Sequence, residues 1–131
     1  MAYLLDTNVA IRLRDGDANV ANHVLALDDA IFLSVVTRVE LEGGVHRDAA
    51  NAAIRRARLD VLLAAIPTLA FDDDAADAYA AIVAHAGYSR RKLLDRMIAA
   101  QALVHRATLI TMNADDFTDI PALRVRVWGA A

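Results

Sequence analysis

The residues of this sequence best suited to chemistry are acids that come just after short apolar runs. Asp6 follows the first run directly, and Glu40 lies shortly after the second. Asp115 and Asp116 follow a later run in the same way. Asp95 is flanked by leucine, methionine and isoleucine, an unfavourable setting because helix interiors disfavour aspartate. If these segments meet in the fold, several carboxylates share one place.

When four carboxylates lie close together, the repulsion between their negative charges must be offset. At about 5 Å separation and an effective dielectric constant near 20, each pair repels by roughly 3 kcal/mol. A cation must be present, or some carboxyl groups must hold protons. Oxygen ligands without histidine or cysteine select Mg²⁺, or alternatively Mn²⁺, over zinc and copper. Such ions can activate a water for attack on a phosphodiester and stabilise the leaving oxygen, which predicts hydrolysis without a covalent intermediate.

Each acid also has a purely structural interpretation. Asp6 can serve as an ordinary helix N-cap. Glu40 follows Thr37 by three positions, the spacing of a capping box. Asp115 and Asp116 fit ordinary turn chemistry. Glu42 and the four histidines are assigned no catalytic role, because the histidines share no spacing typical of metal ligands.

Strand-like and helix-like segments alternate along the chain. The apolar runs predict buried strands at 2–5, 31–35, 68–71, 108–111 and 124–127. Helical spacing predicts helices at 51–66, 73–86 and 92–106, the second ended by Gly87. Alternation of this kind predicts an α/β fold with parallel strands covered on both faces. In such sheets ligands bind outside the carboxyl ends of the strands, where these acids are expected.

Composition sets further limits. The chain has 131 residues, no cysteine, 57% hydrophobic residues and a net charge of −3, so we expect one domain without disulfides or thiolate metal sites. The longest run without a charged residue has 12 residues, and the amino end has no basic stretch, which predicts a cytoplasmic protein without a membrane segment. Removing the four candidate metal ligands from the charge count changes −3 to +1, so the net acidity does not exclude an RNA partner.

Four segments in order, 4–8, 34–41, 94–100 and 109–117, resemble the motifs of PIN-domain nucleases, and most closely those of VapC-type toxins of type II toxin–antitoxin modules. The resemblance covers essentially the whole chain, including the tail 120–125 and Trp128. It implies a single PIN domain over residues 1–131, with a three-layer α/β/α architecture and a mainly parallel sheet of about five strands. It also implies an endoribonuclease that acts on tRNA or another RNA of the translation machinery.

By this resemblance, the catalytic and metal-binding acids are Asp6, Glu40, Asp95 and Asp116. Asp116 is preferred to Asp115 because it directly precedes Phe117, although either could supply the fourth acid. The supporting residues implied are Thr7, Asn8, Thr37, Thr111, Asn113 and Asp115.

Basic residues next to the acids predict an RNA-binding surface. The candidates for phosphate contacts are Arg38, Arg90, Arg91, Lys92 and Arg96. The resemblance further implies a homodimer that a VapB-type antitoxin neutralises, in a heterotetramer or larger assembly.

Two other functions are compatible with parts of the pattern. A catalytically silent PIN-like module could bind RNA or act as a scaffold. A haloacid-dehalogenase-type phosphatase also begins with a strand that ends in aspartate, but it needs a second aspartate two residues later, where this chain has Asn8. Retention of acids in all four segments favours the nuclease.

Overall fold

A parallel sheet forms the centre of the molecule in the computed structural model, which describes residues 2–129. Its five strands are β1 (Tyr3–Leu5), β2 (Ile31–Ser34), β3 (Thr68–Leu69), β4 (Thr108–Thr111) and β5 (Val125–Val127). All five predicted strands are confirmed, with ends that differ by two residues at most. The prediction of one domain over residues 1–131 stays a prediction, since residues 1, 130 and 131 lie outside the described part.

Six α-helices connect and cover the strands. They are α1 (Thr7–Arg14), α2 (Ala18–Leu25), α3 (Val35–Arg47), α4 (Ala52–Ala65), α5 (Asp73–Ala86) and α6 (Leu93–Val104). Short 3-10 helices lie at Ala49–Asn51 and Ala114–Phe117. The three predicted helices correspond to α4, α5 and α6. Helix α5 ends just before Gly87, its C-cap residue, whose φ of 85° is readily available to glycine.

Two hydrophobic clusters lie on opposite faces of the sheet. Because successive strand residues point to opposite faces, Leu5 of β1 belongs to one cluster and Leu4 to the other. The first cluster includes Leu59 of α4, and the second includes Ile98 of α6. The chain thus has the predicted three-layer α/β/α architecture, in which strands buried on both faces are continuously apolar.

The strand order, β3-β2-β1-β4-β5, determines where a site can form. The chain leaves β1 towards β2 and β3 on one side and later returns to β4 and β5 on the other. β1 and β4 are adjacent and parallel, with Leu5 opposite Ile110. The strand order reverses between these two strands, and in open parallel sheets ligands bind outside the carboxyl ends of the strands at such a point. Asp6 directly follows β1, and Thr111 is the last residue of β4.

Among residues 2–129, no helix has the length and apolar character needed to cross a membrane.

Candidate active site

Asp6 has a structural role and a place in the candidate site at the same time. It is the N-cap of α1, and its Oδ1 accepts a hydrogen bond from the Thr7 backbone N–H at 2.9 Å. Its Oδ2 accepts one from Thr111 Oγ1 at 2.7 Å, which links the ends of β1 and β4. Burial raises the pKa of this carboxyl, the two hydrogen bonds oppose that rise, and the charges of Glu40 and Asp116 add to it.

Thr111 is in turn held by the loop that follows β4. Its Oγ1 accepts a hydrogen bond from the Asn113 backbone N–H at 3.1 Å, so its own proton points towards Asp6. Asn8 is also part of this arrangement, since its side-chain oxygen accepts from the Met112 backbone N–H at 3.4 Å. These contacts between segments about 105 positions apart in sequence orient the Asp6 carboxylate.

Glu40 is held by a chain of two threonine hydroxyls. Its Oε1 accepts a hydrogen bond from Thr7 Oγ1 at 2.8 Å, and Thr7 Oγ1 lies 2.9 Å from Thr37 Oγ1. An ionised carboxylate can only accept, so Thr7 donates to Glu40 and Thr37 donates to Thr7. Thr37 is fully buried, which gives this chain of hydroxyls a rigid base.

The capping-box interpretation of Thr37 and Glu40 is wrong. Helix α3 begins three residues earlier than that interpretation needs, and Ser34 is its N-cap, with Oγ accepting from the Val36 backbone N–H at 2.9 Å. Glu40 therefore lies in the second turn of the helix, where backbone amides already have helical partners.

Asp95 lies in the first turn of α6 and is half-buried. Its surroundings raise the pKa of this carboxyl from 3.8 to about 6. Burial is the largest cause, followed by the charges of Asp6, Asp116 and Glu40, whereas the positive charge of Arg91 acts in the opposite direction. The four acids are therefore close enough for their charges to interact.

The two adjacent acids after β4 differ in their surroundings. Asp116 is among the charges that raise the pKa of Asp6 and Asp95, and its Oδ2 accepts a hydrogen bond from Asn113 Nδ2 at 3.0 Å. Asp115 is exposed, and its backbone oxygen accepts from Thr118 Oγ1 at 3.3 Å. Of the two, Asp116 has the carboxylate that interacts with the other acids.

The chemistry of this cluster suits a hard divalent cation. Its donors are all oxygen atoms, the type that magnesium and manganese prefer. A bound cation would also relieve the mutual repulsion that raises the pKa values of Asp6 and Asp95. Among residues 2–129, no three acidic or histidine side chains could hold one ion in their present positions, so binding requires the carboxylates to move closer together.

Three of the predicted RNA-binding residues are available to a ligand. Arg90 and Arg91 are exposed in the loop between α5 and α6. Arg38 is exposed on α3, and its Nε lies 3.5 Å from Glu42 Oε2. Glu42 also pairs with Arg56, and this interaction is the main reason that the pKa of Glu42 is lowered. Glu42 is thus a partly exposed surface ion-pair residue rather than one of the clustered acids.

The prediction that Arg96 contacts RNA is wrong. Its side chain is only 3% exposed, and it donates from Nη1 to the Gly87 backbone oxygen and from Nη2 to Asp119 Oδ2 at 2.9 Å. Lys92 is mostly buried as well, and its Nζ lies 3.2 Å from the same Asp119 oxygen. The two cations hold the pKa of Asp119 below its usual range. Lys92 is thus occupied by an internal ion pair, although it is not fully enclosed.

Sequence reasoning overlooked two residues that organise the surroundings of the site. Asp119 was one of many loop aspartates, and its partner Arg96 lies 23 positions away, so spacing provided no signal. Gln101 of α6 is fully buried, and its Nε2 donates to the backbone oxygens of Leu69 and Ala70 at 3.0 Å each. Its Oε1 accepts from Ser34 Oγ. A buried amide within an apolar helix stripe was the available signal.

Comparison with known proteins agrees with this architecture. The family model described as the PIN domain matches residues 3–123. The chain is 27% identical to Ribonuclease VapC2 of Rickettsia felis, over 98% of each sequence.

Two solved structures show the same arrangement of elements. One is VapBC2 from Rickettsia felis bound to a DNA fragment from their promoter, with a TM-score of 0.86, 24% identity and coverage of 98% of this chain and 99% of that one. The other is VapBC-5 from Mycobacterium tuberculosis, a member of the VapBC family of toxin–antitoxin systems, with a TM-score of 0.72, 28% identity and coverage of 97% and 98%. With the family model spanning nearly the whole chain, the protein belongs to the PIN-domain family.

Proposed function

We propose that this protein is a ribonuclease toxin that hydrolyses RNA phosphodiester bonds with the help of Mg²⁺. The observation that carries the proposal is the group of four interacting acids, Asp6, Glu40, Asp95 and Asp116, at the carboxyl edge of the sheet where the strand order reverses. The similarity to a protein named as a ribonuclease supports the nuclease assignment. Manganese is the alternative ion, and tRNA or another RNA of the translation machinery is the proposed substrate.

The four acids would hold the ion, and the threonines would keep two of the acids in place. When bound, such an ion lowers the pKa of a water molecule and stabilises the developing charge on the leaving oxygen. Thr111 holds Oδ2 of Asp6, and the hydroxyl chain from Thr37 through Thr7 holds Oε1 of Glu40. Pre-orientation of these oxygens reduces the rearrangement that ion binding requires.

The exposed arginines would bind the phosphates of the substrate. Arg90 and Arg91 precede α6, and the charge of Arg91 already acts on Asp95. Guanidinium groups make paired hydrogen bonds to phosphate oxygens, which can place the RNA backbone next to the acids. Arg38 on α3 is a third candidate, because it lies two residues before Glu40 and is half-exposed.

Cleavage assays on purified protein test the assignment. The chain should cleave total cellular RNA in the presence of Mg²⁺, and chelation with EDTA should stop the reaction. Asp6→Asn and Asp116→Asn should each reduce the rate by at least about 10- to 100-fold, because loss of a ligand should cost no less than loss of an outer-shell partner. Asp115→Asn is the matched control and should retain activity. Equal activity of all four proteins, or cleavage that persists in EDTA, would exclude the metal-nuclease assignment.

The two alternative functions differ from the nuclease in the assay result or in the residues that they require. A silent RNA-binding or scaffold module would show RNA binding without cleavage in the same assay. The phosphatase mechanism needs an aspartate where this chain has Asn8, whose side-chain oxygen accepts a backbone hydrogen bond from Met112. Asn8 has a structural role here, so the geometry favours the nuclease.

An antitoxin of the VapB type is the proposed partner, because solved structures similar to this chain include members of the VapBC family of toxin–antitoxin systems. An apolar groove of about 940 Å³ between α1, α2 and α4 provides a surface for such a protein. Leu25 and Val61 line it and are 83% and 70% exposed. A homodimer, and a heterotetramer or larger assembly with the antitoxin, remain part of this proposal.

Co-expression with a candidate antitoxin encoded next to this gene tests the partner. We expect the two proteins to purify together and RNA cleavage to be suppressed. Val61→Asp in the groove should weaken the complex, whereas Val127→Asp, at another exposed valine on β5, should not. Unchanged association of both variants would place the antitoxin elsewhere on the chain.

A further inference from the structure

The loop of residues 87–91, between α5 and α6, is fixed by contacts at several points. The Gly87 N–H donates to the Val83 oxygen at 2.8 Å, and the Gly87 oxygen accepts from Arg96. Ser89 Oγ accepts from the Lys92 N–H, and the Arg90 oxygen accepts from the Leu93 N–H, both at 3.3 Å. These hydrogen bonds therefore hold the loop backbone in place before any ligand binds.

The buried Arg96 side chain anchors this loop. It lies next to Asp95 in the sequence, and its guanidinium connects Gly87 with Asp119, three residues after Asp116. One buried side chain thus joins the loop, the first turn of α6 and the segment that carries the fourth acid. A displacement of the loop would take the Gly87 acceptor away from the buried Arg96 guanidinium, which is energetically costly because a buried donor then lacks its partner.

The fixed loop carries an aromatic side chain that faces solvent. Tyr88 is 71% exposed, although the backbone on both sides of it is anchored. Arg90 and Arg91, two and three positions later, are exposed as well. Arg91 is four positions before Asp95. One short loop therefore carries an exposed aromatic ring and two exposed cations, and the charge of one of these cations, Arg91, acts on Asp95.

This combination fits single-stranded RNA. Every base has a flat face that can stack on an aromatic ring, and phosphates on either side of the base can pair with arginines. Bases inside a duplex are already stacked on their neighbours and cannot take up such a contact. A rigid loop also lowers the entropy lost on binding.

Building on the proposed ribonuclease function, we propose that residues 87–91 form a pre-organised subsite for single-stranded RNA in which the Tyr88 ring stacks on a nucleobase. Arg90 and Arg91 bind the phosphates next to that base. The subsite holds an unpaired nucleotide close to the bond that is cleaved.

Binding experiments with a defined probe test the subsite. The probe is a fluorescein-labelled, unstructured 15-nucleotide RNA of adenosine and uridine, and all proteins carry Asp116→Asn so that the probe stays intact. Tyr88→Ala should weaken binding about 5- to 150-fold, the range expected for loss of one base stack, and Tyr88→Phe should bind nearly as the parent does. Ile54→Ala, which shortens another exposed apolar side chain, on α4, is the control.

The salt dependence separates stacking from charge. Tyr88→Ala should lower the affinity at every salt concentration without changing the slope of log K against log salt. Arg90→Ala combined with Arg91→Ala should make that slope shallower by about 1.4 on the scale for single strands. Replacing uridine by 5-iodouridine in the probe should allow photo-cross-linking to Tyr88.

The outcomes are distinguishable. Unchanged binding by Tyr88→Ala with no cross-link at Tyr88, while the wild-type enzyme still cleaves RNA, overturns the subsite and leaves the nuclease in place. A change in oligomeric state on Tyr88→Ala without a change in RNA affinity also overturns it and makes the ring part of a protein interface. Failure of the parent protein to bind the probe, together with failure of the wild type to cleave RNA, overturns the proposed function itself.

Discussion

Replacement of Asp95 by asparagine should stabilise the metal-free protein at neutral pH. The folded state holds the pKa of Asp95 at about 6, against 3.8 for an unperturbed aspartate, because the carboxyl is half-buried and faces three other acids. Between these two values the folded protein retains a proton that the unfolded chain has released. Stability therefore falls as the pH rises through about 6, and above that value ionised Asp95 destabilises the fold.

The size of the effect follows from the two pKa values. A difference of about 2.2 between about 6 and 3.8, at about 1.36 kcal/mol per unit, corresponds to an upper limit of about 3 kcal/mol. Solvent screens a half-exposed carboxylate, so we expect about 1–2 kcal/mol at pH 7.5. In a domain of this length, that corresponds to a rise in Tm of about 3–8 °C.

Urea and thermal unfolding in EDTA, at pH 4.5 and pH 7.5, measure this effect. Asp95→Asn should be more stable than wild type at pH 7.5, and this advantage should be clearly smaller at pH 4.5, where Asp95 of the folded wild type is still protonated. Asp77→Asn, at an exposed position of α5, should change stability by less than about 0.5 kcal/mol at both pH values. The reasoning is refuted if Asp95→Asn is the less stable protein at pH 7.5, or if its advantage is the same at both pH values.

The remaining predictions concern the hydrogen bonds and charges around the site. Thr111→Val removes the buried donor to Asp6 and should lower the free energy of unfolding by about 1–3 kcal/mol in urea titrations, whereas Thr118→Val at an exposed hydroxyl should be nearly neutral. Gln101→Leu leaves the part-buried backbone oxygens of Leu69 and Ala70 without their donor, and a loss of about 1–3 kcal/mol is expected in the same measurement. Glu40→Gln should abolish RNA cleavage, and Glu42→Gln, at a solvent-exposed ion pair, should leave the rate within about twofold and stability within about 1 kcal/mol. Saturating Mg²⁺ should raise the Tm of the wild type, and it should raise the Tm of Glu40→Gln by a smaller amount. Differential scanning fluorimetry measures both shifts, and equal shifts would argue against Glu40 as a ligand.

The strands and three of the helices were predictable from the sequence because their patterns are local. A strand buried on both faces must be apolar throughout, which made runs such as 31–35 and 108–111 recognisable. Helices α4, α5 and α6 show apolar residues at helical spacing, and Pro67 and Gly87 mark two of their ends. Helices α1 and α2 are only eight residues long each and were not delimited by periodicity.

The place of the acids was predictable for a related reason. A carboxylate just after a parallel strand must lie at the carboxyl edge of the sheet, whatever the rest of the chain does. Asp6 and Asp116 follow strands that prove to be neighbours in the sheet. The choice between Asp115 and Asp116 required the structure, because adjacent residues of a 3-10 helix point in different directions.

By itself, the sequence determined which residue types lie at the ends of which strands and hence that acids gather at one edge. Only the tertiary structure decided which polar groups are partners. Glu40 could be a capping residue by spacing, but its hydroxyl donor is 33 positions away on α1. Arg96 is a basic residue next to one of the acids, as expected for an RNA contact, yet it is buried against Asp119 and Gly87. Hydrogen bonds and ion pairs depend on distances of a few ångströms between segments, and folding alone brings those segments together.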